Sequence, residues 1–286
     1  MTDHLLNDLA NLAGRRGRPV DETVRQYVLE GVLRRLSRRA QPEDFVLRGG
    51  MLTRLWAEPL ARPSQDLDFV GTFPFSVEET ARRFLPVVQD AAPDDGLVFS
   101  PASFRARGMW LDSEFPGVRL FVRCGLGRPH QTLHIDIGFG DPLVPPAERI
   151  AYPGMLSHAP FSLWAVRPET AIGWKLHGLA EKGPLLWRPK DLHDLYLLTT
   201  RTTYPLPALT EAIRVAFTSR HYSPLDAPAV FTHPTWWTEH AVIDRWQTFR
   251  NQSQGQPIAT DLTHVVSTVH QHLKPALHQL TQSIVR

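Results

Sequence analysis

Residues 45–70 constrain this chain more than any other stretch. Phe45-Val46-Leu47 reads as a short buried strand, Gly49-Gly50 interrupts it, and Met51 to Ala57 has helical character. A proline-containing loop then leads into Asp66-Leu67-Asp68-Phe69-Val70. Successive side chains on a strand point to opposite faces, so Asp66 and Asp68 share one face while Leu67 and Phe69 enter the core. Two carboxylates at this spacing repel each other and are costly to bury without a positive charge between them. Mg²⁺ meets that need, because it takes oxygen ligands and bridges carboxylates and phosphates. A Gly-Gly turn opening a helix offers backbone N–H groups to an anion, helped by the helix dipole. Two readings therefore stand. In one, Gly49-Gly50 is only a tight turn and the acids are solvated strand-end residues. In the other, turn and acids together form a polyphosphate-plus-metal site.

A third acid lies in Thr132-Leu133-His134-Ile135-Asp136-Ile137-Gly138-Phe139. The alternation is clean. Leu133, Ile135, Ile137 and Phe139 face one side; His134, Asp136 and Gly138 face the other. A lone Asp in such a strand needs a partner, either a salt bridge or a shared metal. His134 on its own makes no metal site and is read as structural or substrate-facing. Further on, Lys175 and Lys182 are seven residues apart on one helix face, and Asp191 and Asp194 follow at i,i+3 on the next helix, beside Leu195 and Leu198. Acids at a buried edge are expensive unless paired, and a lysine from the preceding helix can neutralise them.

At 286 residues the chain can hold one large or two modest domains, and 42% hydrophobic content marks a globular protein. No apolar run approaches the ~20 residues needed to span a bilayer. Met1-Thr2-Asp3-His4 shows no charged start leading into an apolar run, so no secretory leader is expected. The single Cys124 rules out an internal disulfide framework and a cysteine-rich zinc site. A cytoplasmic location is the expectation. The net charge of +2 does not announce a nucleic-acid binder, although Arg15, Arg16 and Arg18, and again Arg34, Arg35, Arg38 and Arg39, form clusters that attract phosphate backbones or simply face solvent.

In chain order, helices are expected over 3–13 and 21–39, with Asp21 as a cap. In the second, Val28, Leu29, Val32, Leu33 and Leu36 form an apolar stripe, and the four arginines should make a basic edge facing solvent or a partner. A helix over 77–91 capped by Ser76, strands over Leu97–Arg107 and Val118–Cys124, and a long hairpin connection between Gly108 and Gly117 come next. Residues 141–167 read as a proline-rich linker with a short strand or two. After it the pattern turns helical, roughly over 168–182, 189–200, 206–218, 234–251 and 261–285, with Pro168 suited to a first helical position.

Gly49-Gly50 followed by Arg62-x-Ser64-x-Asp66-Leu67-Asp68-Phe69 resembles the nucleotidyltransferase core of the AbiEii/AbiGii toxin family, which includes the MenT-type toxins and lies within the DNA polymerase β-like nucleotidyltransferase superfamily. The helix carrying Lys175 and the Asp191–Asp194 segment are similar to that family's lysine helix and D-x-x-D helix, with Lys190-Asp191 in place of its usual Arg-Asp and Gly178 in place of a small alanine. One departure is Met51, where a small hydroxyl residue commonly follows the turn; phosphate binding would then lean on backbone N–H groups, with Thr53 or Ser64 as hydroxyl donors. The resemblance implies an α/β (α+β) fold in two lobes: a nucleotidyltransferase core with a mixed sheet and flanking helices over residues 1–150, and a mainly helical lobe over 151–286. It implies Asp66, Asp68 and Asp136 as metal ligands for two Mg²⁺ ions, and Gly49, Gly50, Ser64, Lys175 and Lys182 as nucleotide-binding. Asp191 would orient Lys175 or assist the site, and Asp194 would be structural. The implied activity is that of a toxin of a toxin–antitoxin pair that moves a nucleotide from an NTP to an RNA acceptor, with the tRNA 3′ end as the expected acceptor, growth arrest as the outcome and a cognate antitoxin as partner. The alternatives are a degenerate module that binds a nucleotide or antitoxin without turnover, and a small-molecule nucleotidyltransferase.

Overall fold

The computed structural model describes residues 2–284 apart from 92–94, 129, 157, 254–257 and 260. The last residue of the helix expected over 261–285 falls outside them. The fold is mixed α/β, as expected. The chain divides into two compact units. The first comprises Met1–Leu55, Pro63–Asp141 and Glu148–Ala165; the second comprises Trp56–Arg62, Pro142–Ala147 and Val166–Arg286.

The first unit carries helices α1 (Thr2–Arg16) and α2 (Val20–Ser37), strand β1 (Phe45–Arg48), helix α3 (Gly49–Ala57) as far as Leu55, β2 (Leu67–Gly71), α4 (Val77–Gln89), β3 (Leu97–Met109), β4 (Gly117–Leu126), β5 (Gln131–Gly138), β6 (Glu148–Tyr152) and β7 (Phe161–Ala165). Among the described residues the seven strands form one mixed sheet in the order β3-β4-β5-β2-β1-β7-β6. The acid-bearing strand β2 is therefore central. It runs antiparallel to β1 and parallel to β5. Leu67 and Phe69, with Ile135 and Ile137 beside them, are fully buried. Phe69 packs with Phe45 and Phe84, which brings α4 onto that face of the sheet. By alternation, Asp68 and Asp136 lie on the opposite face.

Local chemistry explains most boundaries. Ser76 caps α4 by accepting a hydrogen bond from the Glu79 N–H, as expected. Asp21 does not cap α2; the helix begins one residue earlier, after Pro19, and Asp21 lies in its first turn, where a carboxylate faces the positive dipole end. α1 runs past Gly14 to Arg16, and it is Gly17, at φ 60°, that follows its end. β3 runs on to Met109, so the hairpin connection is shorter than the sequence suggests.

The basic edge expected on α2 does not form at Arg34 and Arg35. Arg35 is 1% exposed and clamps the buried Asp95 carboxylate, with Nη1–Oδ2 at 2.6 Å and Nη2–Oδ1 at 3.1 Å. Its Nε also donates to the Asp90 carbonyl. Arg34 pairs with Glu30 at 2.7 Å. α2 is buried along most of its length rather than on a single stripe, so a charged side chain on its flank must find a partner instead of water.

In the second unit the helices are α5 (Pro168–Leu186), α6 (Pro189–Arg201), α7 (Leu206–Thr218), the short α8 (Ala229–Thr232), α9 (His240–Gln252) and α10 (Leu262–Ile284). Regular helix in α5 ends at Lys182, because Gly183 takes φ 60° ahead of Pro184. The single helix expected over 234–251 is instead a 3₁₀ turn at Trp236–Thr238 followed by α9. Trp187, Trp236 and Trp246 are buried here, and Trp187 packs edge-to-face on Trp237. Among the described residues no helix is long and apolar enough to cross a membrane.

Candidate active site

Three carboxylates converge in the first unit. Asp66 sits immediately before β2, Asp68 on it and Asp136 on β5, and one ligand oxygen from each lies within 4.8 Å of the others. The parallel register sets Asp68 directly beside Asp136. All three acids are partly buried, so their mutual repulsion is only weakly screened.

The two glycines are explained by this cluster. Gly49 opens α3 at φ 74°, and a Cβ there would overlap the Asp68 carboxylate. A Cβ on Gly50 would overlap the Ser64 hydroxyl. The turn is built so that backbone passes close against the acid-bearing strand. Replacing Gly49 by Ala is expected to cost about 1–2 kcal/mol in backbone conformation and to push Asp68 out of place. A lowered thermal midpoint, together with a smaller Mn²⁺-induced rise in that midpoint than wild type shows, is the result to look for.

Neither hydroxyl near the turn points freely at a ligand. Ser64 Oγ donates to the Asp66 carbonyl at 3.0 Å, and Thr53 Oγ1 donates to the Gly49 carbonyl at 3.1 Å. Met51, in the place of the usual small hydroxyl residue, is 1% exposed, and its sulfur accepts from Gln26 Nε2. It is a core residue, so the N–H groups of the turn are what this segment offers to an anion.

The sequence did not single out the arginine that meets the third acid. Arg119 on β4 stands opposite Asp136 in the antiparallel register and grips it with a fork: Nε donates to Oδ1 at 2.7 Å and Nη2 to Oδ2 at 2.6 Å. The hydrogen bond to Asp136, with the charges of Asp136, Asp66 and Asp68, raises the Arg119 guanidinium above its ordinary pKa. The signal was recoverable only with the β4–β5 register, which no local pattern supplies. His134 is exposed and packs against Phe121. Cys124 is fully buried and its thiol is pushed up to about 12 by burial, so it is no nucleophile.

A second polar cluster lies in the second unit. Asp194 is fully buried. Arg62 forks onto it, with Nε–Oδ1 at 3.1 Å and Nη2–Oδ2 at 2.9 Å. Lys175 Nζ lies 2.8 Å from Asp194 and 3.1 Å from Asp191. Burial opposes the charged carboxylate, yet Lys175 and Arg62 outweigh it and hold Asp194 below the usual range. Burial likewise works against charge on Lys175, and Asp194 and Asp191 overcome it, so its pKa is raised. The lysine thus stays cationic. Lys182 pairs instead with its neighbour Glu181 at 3.2 Å, two helical turns away from Lys175 along α5. His193 on α6 is buried and pushed down to about 4, chiefly by desolvation, which keeps it neutral.

Hard oxygen donors suit Mg²⁺ or Mn²⁺. One oxygen from each acid lies within 4.8 Å of the others, a spacing compatible with one divalent ion held by all three, and Asp136 already carries an arginine on both oxygens.

The central D-x-D strand, the third acid on its parallel neighbour and the glycine turn into a helix define the nucleotidyltransferase class of fold. Among solved structures, JHP933 from Helicobacter pylori shares it, with a TM-score of 0.52 at 14% identity over 92% of this chain and 94% of that one. A candidate nucleotidyltransferase from H. pylori matches with a TM-score of 0.50 at 14% identity, covering 89% of this chain and 94% of its own. No curated protein sequence matches the chain. The family model described as the nucleotidyl transferase AbiEii toxin of a type IV toxin–antitoxin system matches residues 31–268, and the chain belongs to that family.

Proposed function

We propose that this protein is a divalent-metal-dependent toxin that transfers a nucleoside monophosphate from an NTP to the 3′ end of an RNA, with tRNA as the acceptor, and that it arrests growth by blocking aminoacylation. It would act in the cytoplasm and be restrained by a cognate antitoxin. The observation that carries the reading is the juxtaposition of Asp66, Asp68 and Asp136 at the two central strands of a family member. When bound, Mg²⁺ would neutralise the triphosphate and lower the pKa of the acceptor hydroxyl. Asp66, Asp68 and Asp136 would hold the ions. The N–H groups of Gly49 and Gly50 would receive phosphate oxygens, with Ser64 fixing the loop behind them. Lys175 would contact the triphosphate as a point charge, kept cationic and oriented by Asp191 and Asp194. Lys182 would add a second, more exposed positive charge.

The test is transfer itself. The purified chain, Mg²⁺ and each α-labelled NTP are incubated with total RNA, and label is followed to RNA 3′ ends. Label in the tRNA fraction is the expected result. Intact NTP binding with no labelled product would favour the binding-module reading, and label only on an added small-molecule alcohol would favour the other alternative.

A further inference from the structure

An arginine already pairs with one acid of the cluster that would hold a cation. Across four neighbouring strands the register aligns Arg48, Asp68, Asp136 and Arg119 in one row. Residues beside one another in a sheet project from the same face, so two acids are bracketed by two arginines. Arg48 reaches Asp141 at 3.1 Å, at the end of the first unit's central segment. Arg119 lays its planar fork on Asp136 and engages both carboxylate oxygens at 2.6–2.7 Å.

That geometry competes with a metal. A divalent ion binds a carboxylate through the same oxygens and close to the same plane that a guanidinium fork uses. Two cations on one carboxylate repel, so ion and fork cannot both sit there at full strength. Arg119 also has somewhere to go: its side chain is 38% exposed, whereas Asp136, at 13%, is fixed in the sheet.

We propose that Arg119 is the resident counter-ion of the acid cluster, holding Asp136 when no metal is bound and leaving it when a divalent ion arrives, so that this residue sets how tightly the ion binds. Arg119 is a positioning residue in this role. The proposal rests on the reading that the three acids bind a divalent metal, and it makes a prediction which that reading does not. Removing a positively charged side chain next to the cluster should tighten metal binding, and it should do so only while Asp136 carries the carboxylate for which the two cations compete.

The experiment titrates the full chain with Mn²⁺ by calorimetry, comparing wild type, Arg119→Met, Asp136→Asn, Arg119→Met with Asp136→Asn, and Asp66→Asn. Arg119→Met is expected to bind Mn²⁺ tighter by roughly tenfold or more, the scale on which a charge at about 4–6 Å shifts proton binding. The gain should disappear in the Asp136→Asn background, where no carboxylate is contested. A gain of equal size in that background would mean a general field effect and would overturn the proposal. Unchanged or weaker binding in Arg119→Met would also overturn it, since Arg119 would then merely orient Asp136. Loss of Mn²⁺ binding in Asp66→Asn would show that the metal reading stands in either case. Absence of Mn²⁺ binding in both wild type and Arg119→Met would overturn the metal reading and this proposal together. A measurement on the unsubstituted chain guards against a variant that fails to fold. In a Mg²⁺ titration followed by nitrogen-15 NMR, the Arg119 Nε–H resonance, assigned with Arg119→Lys, should move from a hydrogen-bonded shift to a rapidly exchanging one. A resonance that stays hydrogen-bonded at Mg²⁺ saturation contradicts the exchange.

Discussion

Asp66→Asn and Asp68→Asn are each expected to abolish nucleotidyl transfer while leaving the protein folded. The two carboxylates share one face at the start of the central strand, within 4.8 Å of Asp136. Asn keeps the shape of Asp but loses the charge that holds a hard cation. Metal-ion stabilisation of a transferring phosphoryl group is worth several kcal/mol, so the rate should fall by roughly 10³-fold or more. Stability should move the other way, or not at all. Removing one of three close negative charges relieves repulsion. The benefit should be larger for Asp66→Asn than for Asp68→Asn, because Asp68 stands beside Arg48 in the sheet. The check is a transfer assay with thermal melts in the absence of metal. Turnover retained by both variants would remove these acids from the chemistry.

How much of this was legible in the sequence depends on the range of the interactions. The β1–Gly49–α3 unit and the D-x-D strand were readable because strand alternation and glycine punctuation act over a few residues. Asp136 is legible for the same reason: it falls on the polar side of a clean alternation whose other side is apolar. The Lys175 contacts with Asp191 and Asp194 were anticipated because neighbouring helices joined by a short connection leave few other partners for buried acids. The failures are long-range. Arg35 looked like part of a solvent-facing basic edge, but its partner Asp95 lies 60 positions away and the helix is covered on most sides. Arg119 has no local signature, because its meaning depends on strand pairing. The motif makes Gly49 and Gly50 candidates for phosphate binding; the overlap that a Cβ would make with Asp68 or Ser64 shows a second, structural requirement that no motif states.

The largest loss of stability is expected at Asp194. Its carboxylate is fully buried and binds Arg62 and Lys175 together, tying a loop residue to α6 across 132 positions of sequence. Asp194→Ala would strip this carboxylate from both Arg62 and Lys175, while Lys175 keeps Asp191. Removing one partner from a buried ion pair typically costs on the order of 3–5 kcal/mol, because the uncompensated charge stays behind. The pH dependence follows from the direction of the shift. Asp194 is held below its ordinary carboxylate pKa of 3.8, so its contribution is fully present above 3.8 and is lost as pH falls below it, when the unfolded chain takes up the proton first. Lys175 is raised above 10.5, so its contribution is present below that pH and is lost only as pH rises beyond it. Urea unfolding followed by tryptophan fluorescence can read the effect, since Trp187, Trp236 and Trp246 are buried in the same unit. The midpoint should drop sharply in Asp194→Ala at pH 7, and the difference from wild type should shrink as both are taken below pH 3.8. Lys175→Met should cost less stability, because Asp194 keeps the Arg62 fork, and on the proposed role it should still lose transfer. A drop of less than about 1 kcal/mol in Asp194→Ala would mean that water screens the cluster as it does an exposed pair. The two helices would then have to be held by their apolar contacts alone.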